Sequence, residues 1–219
     1  MSMFTGTAIF GLMRQSDALT WCVLGALLIM SIACWTVALY KLTVLKKMRN
    51  DINSAQRALE HVTTIEELNA VAAHYDNTAV EALYTRIKEL IRHGDGGERL
   101  QHVIAGVCDE ILMREESGNI ILKTSAEAAT LLGLLGTIWG LIHSFMRISQ
   151  EQMADIVTVA PGIAEALITT FMGLLVAIPA LILYHAVYRQ LQLLEQDLIC
   201  FSESVERSWY RMHLLVKEK

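Results

Sequence analysis

One carboxylate, Glu165, stands inside the apolar run 156–188 (IVTVAPGIAEALITTFMGLLVAIPALILYHAVY), and the paired hydroxyls of Thr169 and Thr170 follow it within about a turn of helix. An ionisable side chain is costly in such a run, so it marks a candidate site, and the chemistry open to it is the binding and release of a proton. Threonine hydroxyls both donate and accept hydrogen bonds, so they can hold water along a path and pass protons without a fixed buried charge. At about 100° per residue, Thr169 lies about 40° from Glu165 on an ideal helix and Thr170 about 140° away. Either the acid and Thr170 face different neighbours, or Gly173 and Pro179 distort the helix.

Residue types that carry other chemistry are dispersed. Cys22, Cys34, Cys108 and Cys200 stand singly, without metal-ligand or redox spacing, and read as small apolar fillers. His61, His74, His93 and His102 form no i, i+4 pair and read as surface or packing residues. The stretch Gly94-Asp95-Gly96-Gly97 is a loop without the Lys-Ser/Thr of a phosphate-binding loop. The expectation is no enzyme, no metal and no cofactor.

The elements that must position Glu165 are membrane helices. The chain is 53% hydrophobic and 19% charged, with two prolines in 219 residues, and its mean hydropathy is +0.40; a soluble domain of this size is rarely so apolar. The net charge of −5 lends no support to nucleic-acid binding. Three segments reach the about 20 residues that a spanning helix needs: 18–40, about 126–146 with Glu127 at its entry, and 156–188, which must tilt or continue beyond the bilayer into a helix over 191–216. Lys41, Lys46, Lys47 and Arg49 follow the first segment, Arg114 and Lys123 precede the second, and Arg189, Arg207, Arg211, Lys217 and Lys219 follow the third. The N-terminal flank has Arg14 alone, so the bias of positive charge predicts an outside N-terminus and an inside C-terminus. A cleaved signal peptide fits poorly, because the first apolar core is too long and its basic cluster lies on the wrong side.

The polar part between the first two segments reads as helical. Thr64-Ile65-Glu66-Glu67 has capping-box spacing, and Val80, Leu83, Tyr84, Ile87 and Leu90 recur at helical intervals. A break at 93–97 precedes a further helix from near Glu98 through Leu100, Val103, Val107 and Ile111 toward the membrane. The expected fold class is an all-α integral membrane protein, three transmembrane helices with long cytoplasmic helical extensions. Its expected parts are a short periplasmic N-terminus (1–17), transmembrane helix 1 (18–40), a cytoplasmic helical domain (41–124), transmembrane helix 2 (125–147), a periplasmic loop (148–157), transmembrane helix 3 (158–188) and a cytoplasmic C-terminal helix (189–219). Gly133, Gly136, Gly140, Gly173 and Ala177 would let helices approach closely, and Gly136-xxx-Gly140 has close-packing spacing.

LLGLLGTIWGLIHSF (131–145) followed by VAPGIAEALITTFMGLLVAIPALILY (159–184) resembles the paired signature of the TolQ/ExbB/MotA proton-channel family, and SIACW (31–35) adds a likeness to the TolQ branch. The resemblance covers all three apolar segments in order. It implies that Thr137 and Thr170 line a proton-conducting pore and that Glu165 is the intramembrane acid. It further implies a homo-oligomer, a pentamer, in the lipid bilayer of the bacterial inner membrane. The central pore would hold a single-helix TolR/ExbD-like protein, and a TolA/TonB-like protein would carry force to an outer-membrane process; no nucleic acid is implied.

Several positions depart from the family pattern. Thr169 stands where alanine is usual, Thr130 replaces a proline, Phe171-Met172 is bulkier than the usual small pair, and His185 stands where asparagine commonly follows Tyr184. The short N-terminal flank and VAPGIAEALI favour a TolQ-like role in Tol-Pal envelope integrity and cell division, with an ExbB-like role in TonB-dependent uptake as the alternative. Two other readings stay open: a non-conducting scaffold whose polar residues only pack, and a stand-alone secondary transporter, which lacks an inverted repeat here. A membrane threonine ordinarily bonds a carbonyl one turn back in its own helix, and the alternatives for Glu165 are to snorkel or to pair with Arg147 or with a neighbouring subunit.

Overall fold

A computed structural model describes residues 18–59, 67, 79–92, 98–151 and 156–217. The described residues form α1 (Ala18–Leu59), α2 (Ala79–Arg92), α3 (Glu98–Glu116), α4 (Asn119–Glu151) and α5 (Ile156–Lys217), with no strand among them. The protein is all-α, and three of its helices are long and apolar enough to cross a membrane: Ala18–Leu59, a stretch within His102–Ser149, and Val159–Ser208. The capping box at Thr64, the helix expected after it and the break at 93–97 lie outside the described residues.

The helices expected at Ala79 and Glu98 are present. The helix expected from Glu98 toward the membrane ends at Glu116, and a turn at Ser117-Gly118 separates it from α4. There the Ser117 hydroxyl donates to the Arg114 carbonyl at 2.8 Å, and its N–H donates to the Met113 carbonyl at 3.3 Å. A serine that bonds its own backbone competes with helix continuation, and Gly118 adds low helix propensity. Pro161 and Pro179 both lie within α5, which continues past them to Lys217.

Two compact units divide the chain. The first takes α1 up to Ala38 together with Ile120–His185. Its core gathers Val23, Leu27, Ala129 and Ala177, with Leu19, Met30, Leu132, Met172 and Val176 packed against them. Leu28, Ile32, Leu131, Phe145, Leu167 and Phe171 point outward, an arrangement suited to an apolar surrounding rather than to water.

The second unit takes Leu39–Asn119 and Ala186–Lys219. Val187, Leu191, Leu194, Leu198, Phe201 and Val205 are buried along α5 at alternating four- and three-residue spacing, the stripe of a coiled-coil-like seam. Leu45, Ile52, Ala55 and Leu59 are buried along α1. Arg49 ties these two helices, its Nε donating to Asp197 Oδ2 at 2.7 Å and an Nη to Gln190 Oε1 at 3.0 Å. Lys41, mostly buried, donates to the Glu115 carboxylate and to the Glu115 carbonyl, each at 2.8 Å.

Candidate functional site

The first unit is built on one close seam between α4 and α5. A Cβ added to Gly133 would lie 3.2 Å from the Cα atoms of both Gly173 and Thr170, and one added to Gly140 would lie 2.8 Å from Ala166 Cβ. A Cβ on Gly136 would meet the Thr169 side chain, and one on Gly162 would meet the Ser144 hydroxyl. Position 133 thus faces 173, 136 faces 169, 140 faces 166 and 144 faces 162, so the two helices run antiparallel. Small residues on both sides bring the backbones together, the packing that apolar solvent favours because hydrophobic burial contributes little there. Gly133, Gly136, Gly140 and Gly173 all lie in this seam.

The three threonines behave differently within it. Thr169 is buried; its hydroxyl donates to the Ala166 carbonyl at 2.7 Å while its side chain covers Gly136. The hydroxyl at this unusual position is therefore satisfied locally and the side chain acts in packing. Thr137 likewise donates within its own helix, to the Leu134 carbonyl at 2.7 Å. Thr170 instead leaves its helix and donates to the Gly133 carbonyl of α4 at 2.9 Å. That departure from local back-bonding is possible because Gly133 carries no side chain to hold α4 away.

The angular question posed by the sequence is answered by the neighbours. Relative to the middle of the seam, Thr137 on α4 and Thr170 on α5 lie about 50–60° to one side on ideal helices. Leu132, Met172 and Val176, which pack against the cluster that Val23 and Leu27 of α1 form with Ala129 and Ala177, lie on the other side. Glu165 falls about 80° round on that α1 side. The acid and Thr170 therefore face different neighbours, the first of the two alternatives.

Glu165 is half-buried, and its Oε1 is buried without a hydrogen-bond partner. Among the described residues no ion pair joins it to Arg147. Pro179 is half-buried two residues beyond Ala177, and further along α5 the Tyr184 and His185 rings meet edge to face at 5.1 Å. Thr130 donates to the Ala126 carbonyl at 3.2 Å, Met172 packs against the cluster of Val23, Leu27, Ala129 and Ala177, and Phe171 is exposed.

In the second unit, Asp109, Leu112, Met113, Glu116, Tyr188, Leu191, Gln192 and Glu195 line a hollow of about 290 Å³. Burial, followed by the charges of Asp109 and Glu195, pushes the adjacent Cys108 thiol up to about 11, so it stays protonated and unreactive. Burial also raises Tyr84. No group of histidine, cysteine and acidic side chains able to hold a metal occurs among the described residues.

Comparison with known proteins adds a second line of evidence. Residues 74–198 match the family described as the MotA/TolQ/ExbB proton channel family. The biopolymer transport protein ExbB of Salmonella typhimurium is 28% identical over 201 residues, covering 86% of this chain and 81% of that protein. ExbB of Neisseria meningitidis is 32% identical over 183 residues, covering 78% and 83% respectively. The Tol-Pal system protein TolQ of Haemophilus influenzae is 46% identical over 76 residues, covering 35% of this chain and 33% of that protein. The ExbB likeness is the broader of the two, and the TolQ likeness is the stronger over a shorter stretch.

Proposed function

The chain belongs to the MotA/TolQ/ExbB proton channel family, and on that premise we propose that it is a proton-conducting subunit of a bacterial inner-membrane motor that energises an outer-membrane process. The supporting observation is that Thr137 and Thr170, from two different helices, fall on the same side of the α4·α5 seam, away from α1. In a ring of copies that side faces a shared pore. Each hydroxyl uses its hydrogen on a backbone carbonyl and keeps its lone pairs for pore water. The ring is a pentamer, and its pore holds the single helix of a TolR/ExbD-like protein, with a TolA/TonB-like protein beyond it. The N-terminus is periplasmic and the C-terminus cytoplasmic, following the lysines and arginines. Glu165 is the intramembrane acid of the path. A proton crossing about 100 mV releases roughly 2.3 kcal/mol, comparable with a few packing contacts, so several protons suffice to drive a ratchet of packed helices.

The test is proton flux through vesicles containing the complex, with Thr170→Ala beside Thr170→Ser. Serine keeps the hydroxyl and should keep most of the flux; alanine should abolish it while assembly persists. Full flux in the alanine variant overturns the role of Thr170, and absence of flux in the native complex favours a scaffold.

Within the family we read the chain as TolQ-like, acting in Tol-Pal envelope integrity and cell division, on the strength of the short, more identical stretch. The broader ExbB likeness favours a second reading, energising TonB-dependent uptake. A strain lacking the chain separates the two: detergent sensitivity with division defects supports the first, and failure under iron limitation alone supports the second.

A further inference from the structure

We propose that His143 and Glu165 form an acid–histidine pair on the α1 side of the seam, a protonatable locus separate from the threonine groove. The register carries this inference. Gly140 faces Ala166 and Ser144 meets Gly162, which brings His143 level with residue 163, about 3 Å along the axis from Glu165. On ideal helices His143 lies about 70° and Glu165 about 80° from the seam, both toward the side where Leu132, Met172 and Val176 pack on the cluster that includes Val23 and Leu27 of α1. Side chains lean toward the N-terminus of their own helix. In these antiparallel helices His143 therefore leans toward the level of Glu165, and Glu165 toward that of His143. His143 is half-buried, and the buried Glu165 Oε1 is an acceptor without a donor.

Among the described residues, few other titratable or charged side chains lie near the level of this pair. Arg147 is half-buried one turn on from His143, and Cys22 is exposed on α1, where residues 18–33 carry no charged side chain. Asp17 precedes α1 and lies outside the described residues.

The chemistry suits a place where a lone charge is costly. With the proton on Glu165 the pair is a neutral acid beside a neutral imidazole. When the O–H bond breaks and a ring N–H bond forms, it becomes a carboxylate beside an imidazolium, still neutral as a unit. When one proton enters at one member as another leaves from the other, the pair presents no net charge to the apolar surround. Its part in transport rests on the proton-channel reading; its existence does not.

Infrared difference spectra of the full complex, with Glu165→Gln identifying the Glu165 carboxylic band, test the pair directly. His143→Phe should move that band, His143→Gln should partly restore it by donating from its amide, and Thr137→Ala should leave it in place. In the flux assay His143→Phe should lose about a hundredfold, and His143→Phe/Glu165→Gln should conduct no worse than Glu165→Gln alone. An unmoved band in both His143 variants overturns the pair whatever the flux does, and leaves the channel reading standing. A moved band in a complex that conducts no protons keeps the pair and overturns the channel reading. If the phenylalanine variant fails to assemble, disulfide formation in the double variant His143→Cys/Glu165→Cys is the geometric test, and its failure to form under oxidation overturns the pair.

Discussion

Gly173→Ala perturbs the seam where nothing can yield. The new Cβ would lie 2.8 Å from the Ala129 carbonyl oxygen, 2.9 Å from Gly133 Cα and 3.2 Å from Gly133 N, all backbone atoms of α4. Carbon contacts settle near 3.5–4.0 Å, so α4 and α5 must part by about 0.6–1 Å. Two consequences follow from one displacement. The Thr170 to Gly133 hydrogen bond, now 2.9 Å, stretches to about 3.5 Å or beyond, where a hydrogen bond is effectively lost. The seam also loses part of its dispersion energy at each small-residue crossing. Overpacking of a close contact costs about 1–3 kcal/mol, and the interhelical hydrogen bond adds about 0.6 kcal/mol. Gly25→Ala is the matched control: a Cβ there meets nothing within 4 Å, so removing a helical glycine should be neutral or stabilise by up to about 1 kcal/mol. Equilibrium unfolding of the purified protein in mixed micelles reads both variants. Gly173→Ala should lower the unfolding free energy by about 2 kcal/mol and Gly25→Ala should not lower it. Equal stability of the two variants would refute the close seam and the placement of Thr170 that depends on it.

The remaining predictions concern the second unit. Lys41→Met should cost about 3 kcal/mol, because it strands the mostly buried Glu115 carboxylate and carbonyl. Adding Glu115→Gln should recover part of that loss in a double-mutant cycle, and strict additivity of the two changes would contradict the pairing. Thiol alkylation of the solubilised protein at pH 8 should label the exposed Cys200 and leave Cys108 unmodified. With its thiol pushed up to about 11, Cys108 is about one part in a thousand thiolate at pH 8. Its rate should climb about tenfold per pH unit toward 11, and a flat pH profile would contradict the burial and the acidic neighbours.

Apolar run length, helical periodicity and the isolation of Glu165 among apolar residues are local properties. The class of fold, the three apolar helices and the residues worth watching were therefore legible in the chain before any contact was known. The glycines at 133, 136, 140 and 173 were legible as close-packing positions for the same reason. What each of them touches was not. Helix phase places Thr170 about 140° from Glu165, but only the position of α1 says that one faces away from it and the other toward it. The same holds for His143, unremarkable in a chain with seven histidines, whose level against Glu165 depends on the register of two antiparallel helices. Thr169 and Thr170 are identical in type and adjacent in sequence. One bonds its own helix and the other reaches Gly133, because the missing side chain at 133 brings a foreign carbonyl within 2.9 Å. The turn at Ser117-Gly118 and the Lys41–Glu115 pair belong to the same category, since a lysine partner 74 residues away along the chain leaves no local trace. Sequence determines which side chains can exchange a proton or admit a close neighbour; the approach of separate helices decides which of them meet.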